Sequence, residues 1–407
     1  MTATDITDTT DTTSTFTALA STGIELPIDM LERFRSRAGV LDRTNSYFHD
    51  DLAELRSIGY LAAAVPVEFG GWGLDLAQLA ASQRRLAQYA PATALATSMH
   101  AYWIGTAVEL ERAGDSSLRW MFDAALQGDV FAAGHAETGN DIPVLLSTCQ
   151  AERVEGGYRL TGRKQFGSNG PVWRWLGAHA IDVAAPGGPQ IVHAFVDRDS
   201  EGVTVVETWD TLGMRPTQSH DTILDGVFVP DARIGRVVPA GDENDLFLVG
   251  LAMWPLSLMA AVYLGIADRA LEVAVAGAKR KTSMAIPRGA YAYNPFVQHQ
   301  VAEMYLELDA ASATLEQFVS DWVAGVDHGD AWATKVYSMK WRAVEAAKRV
   351  VDIALDVSGG AGMFAGNELE RLYRDVRCGG FHPGNDALTH ELVGKAVIGI
   401  LAEQPRW

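Results

Sequence analysis

The residues that could carry acid–base chemistry are scattered and form no familiar catalytic motif. His382 has an imidazole that ordinarily titrates near neutral pH, so it could give a proton to a substrate or take one from it. Alternatively, His382 caps a helix or bonds a backbone carbonyl. His100 lies in a helical segment, where a hydrogen bond between core helices explains it better than catalysis. Asp386 would lie in the first turn of a helix, where the helix dipole favours a carboxylate.

Familiar cofactor and metal motifs are absent from the sequence. No GxGxxG follows a strand, and GxxxxGK(S/T), GxSxG and HExxH do not occur. The ten histidines show no metal-ligand spacing, so we predict no metal site. The two cysteines, Cys149 and Cys378, exclude a disulfide scaffold and a cysteine-based zinc or iron–sulfur site, and they favour a reducing, cytoplasmic location.

Composition indicates a globular protein with more than one packed unit. The chain has 407 residues, of which 48% are hydrophobic and 21% charged. With 33 Lys and Arg against 51 Asp and Glu, its net charge of −18 disfavours binding to nucleic acids or anionic membranes. The most apolar run, residues 246–267, is interrupted by Gly250, Pro255 and Gly265, so we predict a buried core helix and no membrane span.

The chain divides by pattern into a tail and three segments. Residues 1–27 begin with a Thr/Asp-rich stretch and are predicted to be disordered. We predict a helical domain over 28–130, an antiparallel β domain over 131–243 and a second helical domain over 244–407. The expected fold class is therefore α+β and mostly helical.

Local patterns place individual elements within these segments. Gly156-Gly157 separates two β-like runs, and Asp225-Gly226 is predicted to be the two-residue turn of a hairpin. Apolar residues recur at helical spacing from Val336 to Val357 and stop before Gly359-Gly360, which predicts a helix with a glycine C-cap. Helical periodicity also marks four N-terminal segments: Met30–Ala38, Leu52–Ile58, Leu76–Tyr89 and Ala92–Leu110.

Five segments, in order along the chain, resemble the acyl-CoA dehydrogenase superfamily of flavoproteins. They are residues 65–74 (VPVEFGGWGL), 162–169 (GRKQFGSN), 212–215 (LGMR) with 225–230 (DGVFVP), 358–362 (SGGAG), and 370–375 (ERLYRD). The resemblance covers residue 28 to the end. It implies an N-terminal helical domain, a middle β domain and a C-terminal four-helix bundle, with FAD bound in a homotetramer.

The resemblance also implies which residues hold the flavin. Phe166 would form the wall against the flavin ring, and Ser168 would donate a hydrogen bond near its reactive edge. Arg280 stands where the family places a pyrophosphate-binding arginine from a neighbouring subunit. The remaining cofactor-site residues implied are Gln298, Gly359, Gly360 and Asn385.

Two parts of this pattern are altered. The family's Phe-Gly after the arginine is Ser283-Met284 here, and a longer segment follows. The usual Thr-Glu-Pro segment is replaced by residues 136–141 (AETGND), about two residues shorter.

The carboxylate base of a dehydrogenase is missing from both of its family positions. The position nine residues after Arg374 is Pro383, and the alternative position falls in residues 253–256 (MWPL), which contain no carboxylate. His382 stands beside the first of these. This ending resembles the two-component flavin monooxygenases of the superfamily, typified by dibenzothiophene monooxygenase, which use reduced flavin from a separate reductase.

Three functions remain open at this point. The first is a monooxygenase that uses FMN or FADH2 supplied by a reductase, with His382 as acid or base. The second is an acyl-CoA dehydrogenase with a displaced base, for which Asp386 is the best substitute and an electron-transfer flavoprotein the electron partner. The third is a flavin-binding subunit without catalysis. His100, Trp254 and Asp386 are the candidate substrate-pocket residues.

Overall fold

A computed structural model defines residues 25–142, 144–242, 244–286 and 289–401 of the chain. Most of the tail predicted to be disordered, residues 1–24, lies outside the described residues. Helices at both ends of the chain flank one sheet in the middle, so the α+β, mostly helical fold class is confirmed. The domain limits at residues 130 and 243 stay predictions.

All four helices predicted from N-terminal periodicity are present. Asp75 caps α3 by accepting a hydrogen bond from the amide of Gln78, whose side chain accepts one from the Asp75 amide in return. Pro91 occupies the first turn of α4, where its missing N–H costs nothing. The N-terminal helices are α1 (Ile28–Arg43), α2 (His49–Ser57), α3 (Leu76–Ala87), α4 (Pro91–Arg112) and α5 (Trp120–Leu126).

The middle of the chain forms a single sheet in the order β6-β7-β3-β2-β4-β5-β8, with β1 paired to β4. The two β-like runs predicted on either side of Gly156-Gly157 are present as β2 and β3, which pair as an antiparallel hairpin with Gly156 at φ +78° in its turn. The strands are β1 (Phe131–Gly134), β2 (Gln150–Val154), β3 (Gly157–Gly167), β4 (Trp175–Asp182), β5 (Gln190–Asp197), β6 (Val203–Val206), β7 (His220–Pro230) and β8 (Ile234–Pro239).

The structure corrects two predictions about this sheet. Asp225-Gly226 is no hairpin turn, because β7 runs through it and both residues lie opposite Thr161 of β3 as a bulge, with Gly226 at φ +62°. The sheet is also not wholly antiparallel. β1 runs parallel to β4, since the β2–β3 hairpin and the chain around it provide the crossover that a parallel pair needs.

The long helix α6 (Leu246–Arg280) forms the centre of the molecule. It packs against α3 and α4 on one side and against α7 (Pro295–Val323) and α8 (Ala331–Ser358) on the other. Of its most apolar 18-residue window, 78% is buried, which confirms the predicted core helix. The chain ends with α9 (Glu368–Arg377) and α10 (Asp386–Ile398), which pack on α8.

The predicted apolar stripe lies on α8 and faces the core. Val336, Ala343 and Val350 are fully buried, and the helix ends at Gly359, whose φ of +65° favours glycine. Lys340 lies on the same face, four residues after Val336, and is 1% exposed. A lysine on a buried helix face is unusual.

Candidate active site

A β-bulge turns Phe166 out of the sheet. β3 pairs with β7, but the register shifts between Lys164, which faces Thr222, and Gly167, which faces His220. Phe166 lies in this shift at φ +56°, the left-handed region that a bulky residue rarely adopts. Such strain in a residue that is also 58% exposed suggests a surface shaped for a ligand.

A second aromatic side chain extends this exposed surface. The Trp209 ring stands edge-on to Phe166, with 5.9 Å between the ring centroids. Trp209 is held by His220, whose Nδ1 accepts hydrogen bonds from the amides of Thr208 and Trp209 at 3.2 and 3.3 Å. Phe166 and Trp209, together called the aromatic wall here, can receive one face of a flat ring.

Ser168 begins a chain of hydroxyl groups next to this wall. Its Oγ lies 2.8 Å from that of Ser219, which lies 2.7 Å from Oγ1 of Thr217. Thr217 donates to the carbonyl of Met214 at 2.8 Å, so the chain runs from Ser168 towards Thr217. In this arrangement Ser168 Oγ can accept a hydrogen bond from a ligand, and the donor role implied for it stays a prediction.

The predicted glycine turn at the end of α8 lies next to cationic residues at the end of α6. Arg280 is exposed at the end of α6, and the next residue, Lys281, donates from Nζ to the carbonyl of Ser358 at 3.3 Å. A Cβ on Gly359 would lie 3.0 Å from that Nζ, and one on Gly360 would meet nothing. Lys281 therefore lies at the glycine turn, and Arg280 precedes it in the chain, so that two cationic residues are available for an anionic group. The sequence interpretation did not include Lys281.

The other two predicted cofactor residues have structural roles within this chain. Gln298 donates from Nε2 to the carbonyl of Ala292 at 2.9 Å, in the first turn of α7. Asn385 caps α10, where its Oδ1 accepts a hydrogen bond from the Leu388 amide at 2.9 Å. Neither side chain lies at the aromatic wall.

His382 lies in the loop between α9 and α10 and faces the core helix α6. Its Nε2 is 2.8 Å from the phenolic oxygen of Tyr263, a fully buried residue of α6. Burial, and then the positive charge of Lys340, lower the pKa of His382 to about 3. The imidazole is therefore neutral at physiological pH, unlike the near-neutral titration predicted from its residue type.

Other candidates near the missing base do not face His382. Asp386 is on the surface, where it accepts a hydrogen bond from Trp341 Nε1 at 2.9 Å and lies 3.3 Å from His390. Pro383 is exposed. Asp375 is buried, but its Oδ1 already accepts from the Met214 amide at 2.6 Å.

Two predicted pocket residues belong to the core. His100 is 2% exposed, with Nε2 2.7 Å from the carbonyl of Leu61 and Nδ1 accepting from the Phe131 amide at 3.2 Å. Trp254 is 0% exposed and donates from Nε1 to Glu109 at 3.0 Å. His100 therefore ties α4 to Leu61 and to strand β1, and Trp254 ties α6 to α4.

Sequence reasoning missed a buried polar cluster that includes Lys164, which lies on β3 two residues before Phe166. Lys164 and Glu137 form an ion pair whose side chains are 1% and 0% exposed. Three imidazoles adjoin it: the His135 and His179 ring centroids are 5.4 Å apart, and His179 and His193 stack at 5.9 Å. Both ring nitrogens of His193 lack a hydrogen-bond partner. Apart from His135 and Glu137, the residues of this cluster are at least 14 positions apart in sequence, so no local spacing could have revealed it.

The buried histidines should make the protein sensitive to acid. Burial lowers the pKa of His100 to about 4 and of His135 to about 3, and lowers those of His179 and His193 well below their usual 6.5. Below pH 6.5 these histidines therefore bind protons in the unfolded chain but not in the native state. We expect the free energy of unfolding to fall as pH decreases from 6.5, by about 1.4 kcal/mol per pH unit for each uncompensated histidine.

Urea unfolding at pH 7, 6 and 5 measures this effect. Asp51 and Asp375 act in the opposite direction, because burial raises their pKa to about 6, but they are outnumbered by the histidines. His193→Leu removes one buried imidazole and should make the pH dependence shallower. A free energy of unfolding that stays constant between pH 7 and 5 would contradict the prediction.

Two family models match the chain over the elements that carry this site. The acyl-CoA dehydrogenase middle domain matches residues 131–227, and the acyl-CoA dehydrogenase C-terminal domain matches residues 257–398. The chain belongs to the acyl-CoA dehydrogenase superfamily. The resemblance inferred from five short segments is thereby confirmed.

Similar proteins within the acyl-CoA dehydrogenase superfamily differ in their named activities. L-evernosamine nitrososynthase from a Micromonospora strain is 28% identical over 90% of this chain and 87% of its own length. The putative acyl-CoA dehydrogenase YdbM of Bacillus subtilis is 27% identical over 90% of this chain and 94% of its own. Among solved structures, KijD3 in complex with FMN and dTDP-3-amino-2,3,6-trideoxy-4-keto-3-methyl-D-glucose has a TM-score of 0.81 at 28% identity and covers 92% of each chain.

Proposed function

We propose that this protein is a flavin-dependent monooxygenase that uses reduced flavin and O2 to oxygenate a small organic substrate. The observation that carries the proposal is the pairing of His382 with Tyr263 beside a base position occupied by Pro383. Membership of the superfamily, and neighbours such as the KijD3 complex with FMN, support a flavin-dependent oxidoreductase.

The residues of this chain fit a flavin. An exposed aromatic wall at Phe166 and Trp209 suits the flat ring, and Ser168 Oγ offers an acceptor beside it. Arg280 and Lys281 offer cations for phosphate groups, whether those of FAD or of FMN. When bound, a reduced flavin supplies the electrons that activate O2.

His382 would handle protons in the neutral form. Because its pKa is about 3, an imidazolium is not available as the acid at neutral pH. The neutral ring can still accept a proton at one nitrogen while Tyr263 holds the other. The phenol of Tyr263 stays protonated, since burial raises its pKa well above 10. We therefore favour His382 as the base that takes a proton from the substrate.

The dehydrogenase alternative finds little support among the described residues. Asp386 is held on the surface by Trp341, and Asp375 is engaged by the Met214 amide. The segment 253–256 lies in α6 and contains no carboxylate. Acyl-CoA thioesters are nevertheless included in the test below, because the similar protein YdbM is named as a putative acyl-CoA dehydrogenase.

The substrate class we propose to test first is a primary amine. L-evernosamine nitrososynthase and the amino sugar nitrososynthase DnmZ of Streptomyces peucetius, which is 29% identical, are both named as nitrososynthases, and the second name specifies amino sugars. An amine attacks oxygen in its neutral form, and its nitrogen sheds a proton once the N–O bond has formed; we assign to the neutral His382 the acceptance of that proton.

We further propose a homotetramer that works with a flavin reductase in the cytoplasm. Large apolar side chains are exposed in the C-terminal half, as expected of an interface between copies. Both cysteines are free thiols, in keeping with a reducing compartment. The exposed apolar residues are Met284, Phe296, Leu306, Met363, Phe364, Phe381, Val397 and Ile398.

The test of the proposal is a product assay. The protein is incubated with chemically reduced FMN or FAD, 18O2 and a panel of aminosugar nucleotides, simple amines and acyl-CoA thioesters. We expect a product that carries 18O and forms only with reduced flavin and oxygen. A product two hydrogens lighter than an acyl-CoA, formed anaerobically with oxidised FAD, would overturn the proposal in favour of dehydrogenation.

A further inference from the structure

Lys340 is buried on α8 and bonds to main-chain carbonyls. It is 1% exposed, and its Nζ donates to the carbonyl oxygens of Gly379 at 3.0 Å, Gly384 at 3.2 Å and His382 at 3.4 Å. An ammonium group has three N–H donors, so these three acceptors use all of them. A buried cation is costly, and it is retained where its contacts fix a particular arrangement.

The three carbonyls belong to the short loop that carries His382. This loop, residues 379–384, is pressed between α6 and α8. A Cβ on Gly379 would lie 2.9 Å from Val344 and 3.0 Å from Tyr263, and one on Gly384 would lie 3.1 Å from Tyr337. Gly384 also has φ +72°. The glycines thus let the loop come close enough for one ammonium group to reach its first and last residues.

We propose that Lys340 is a positioning residue: its three hydrogen bonds fix the loop of residues 379–384 so that His382 faces Tyr263. The functional part of this inference rests on the proposed role of His382. A neutral amine has only two N–H donors, so loss of the Lys340 proton would remove one of the three bonds.

The same contacts give Lys340 an electrostatic effect on His382. Its positive charge is the second cause, after burial, of the low pKa of His382. Burial lowers the pKa of Lys340 itself to about 7. The negative charge of Glu345 opposes this effect, and the positive charge of Lys348 adds to it. The phenol of Tyr263, on α6, faces His382. The negative charges of Cys378 and Asp375, at the end of α9, raise the pKa of Tyr263 further.

The test compares Lys340→Met with Lys348→Met, a control on the same helix whose side chain pairs with Glu345 and touches no residue of the loop. Histidine 13C NMR of flavin-free, deuterated protein follows the His382 signal, identified by its loss in His382→Gln. We expect Lys340→Met to raise the His382 pKa towards 6.5 and to lower kcat by about 10- to 100-fold. Lys348→Met should change either value far less.

Several outcomes decide the matter. A folded Lys340→Met protein whose His382 signal and titration match the wild type overturns the inference. If that variant fails to fold, the wild-type Lys340 ammonium signal in 15N-lysine NMR replaces it. Three bonds to the loop predict through-bond couplings from this ammonium group to the carbonyl carbons of Gly379, His382 and Gly384, and the absence of such couplings contradicts the inference. A shifted His382 titration with unchanged turnover of His382→Gln would keep the inference and reject the proposed function.

Discussion

Replacing His382 with glutamine is expected to lower turnover with reduced flavin and oxygen by roughly 10²- to 10⁴-fold, the range for loss of a general base. Glutamine keeps a polar side chain that can bond to Tyr263, but it cannot accept a proton. Flavin binding should be unchanged, because the aromatic wall and the cations at Arg280 and Lys281 belong to other elements. Steady-state turnover and flavin fluorescence titration measure the two effects.

Asp386→Asn is the matched control for this prediction. Its carboxylate is exposed and bonded to Trp341, and it is the substitute base of the dehydrogenase alternative. We expect Asp386→Asn to retain most of the activity. If Asp386→Asn loses turnover and His382→Gln keeps it, the role assigned to His382 is wrong.

Replacing Lys164 with methionine is expected to reduce the free energy of unfolding by about 3–5 kcal/mol, because it leaves the buried Glu137 carboxylate without its cation. Glu137 would keep Ser147 and Thr148 as donors, but their hydrogen bonds do not neutralise its charge. Lys164 also donates to the carbonyl of His179, which would lose that bond. Urea unfolding at pH 7 measures the loss.

Two further variants make this result interpretable. Arg153→Met breaks an ion pair with Asp231 in which both side chains are about half exposed, so it should cost less than 1 kcal/mol. Adding Glu137→Gln to Lys164→Met removes the stranded charge and should restore part of the stability. A Lys164→Met protein as stable as Arg153→Met would show that the buried pair contributes little.

Elements with a regular period were predictable from the sequence. The stripe from Val336 to Val357 produced α8 and its glycine cap, and the long apolar run produced the core helix α6. Both predictions depend only on the local spacing of apolar residues, which are buried in the folded protein. Asp225-Gly226 was misread, because the same dipeptide serves a hairpin turn and a bulge, and only the partner strand decides between them.

The candidate site was predictable only in part. Phe166 and Ser168 were found through a motif, but their surroundings of Trp209 and Ser219 come from a distant segment of chain. The neutral state of His382 depends on burial, which residue type cannot reveal. Lys340 could have been singled out from the sequence, because it is a charged residue on the apolar face of α8, four residues after Val336.

The proposed function requires that the protein react reduced flavin with oxygen and that His382 control the outcome. Stopped-flow mixing of the protein and chemically reduced FMN with oxygenated buffer tests it most directly, with free FMN as reference. We expect oxidised-flavin absorbance to return later with the protein than without it, and His382→Gln to shorten the delay. Return at the rate of free FMN, together with anaerobic bleaching of bound oxidised FAD by an acyl-CoA, would contradict it.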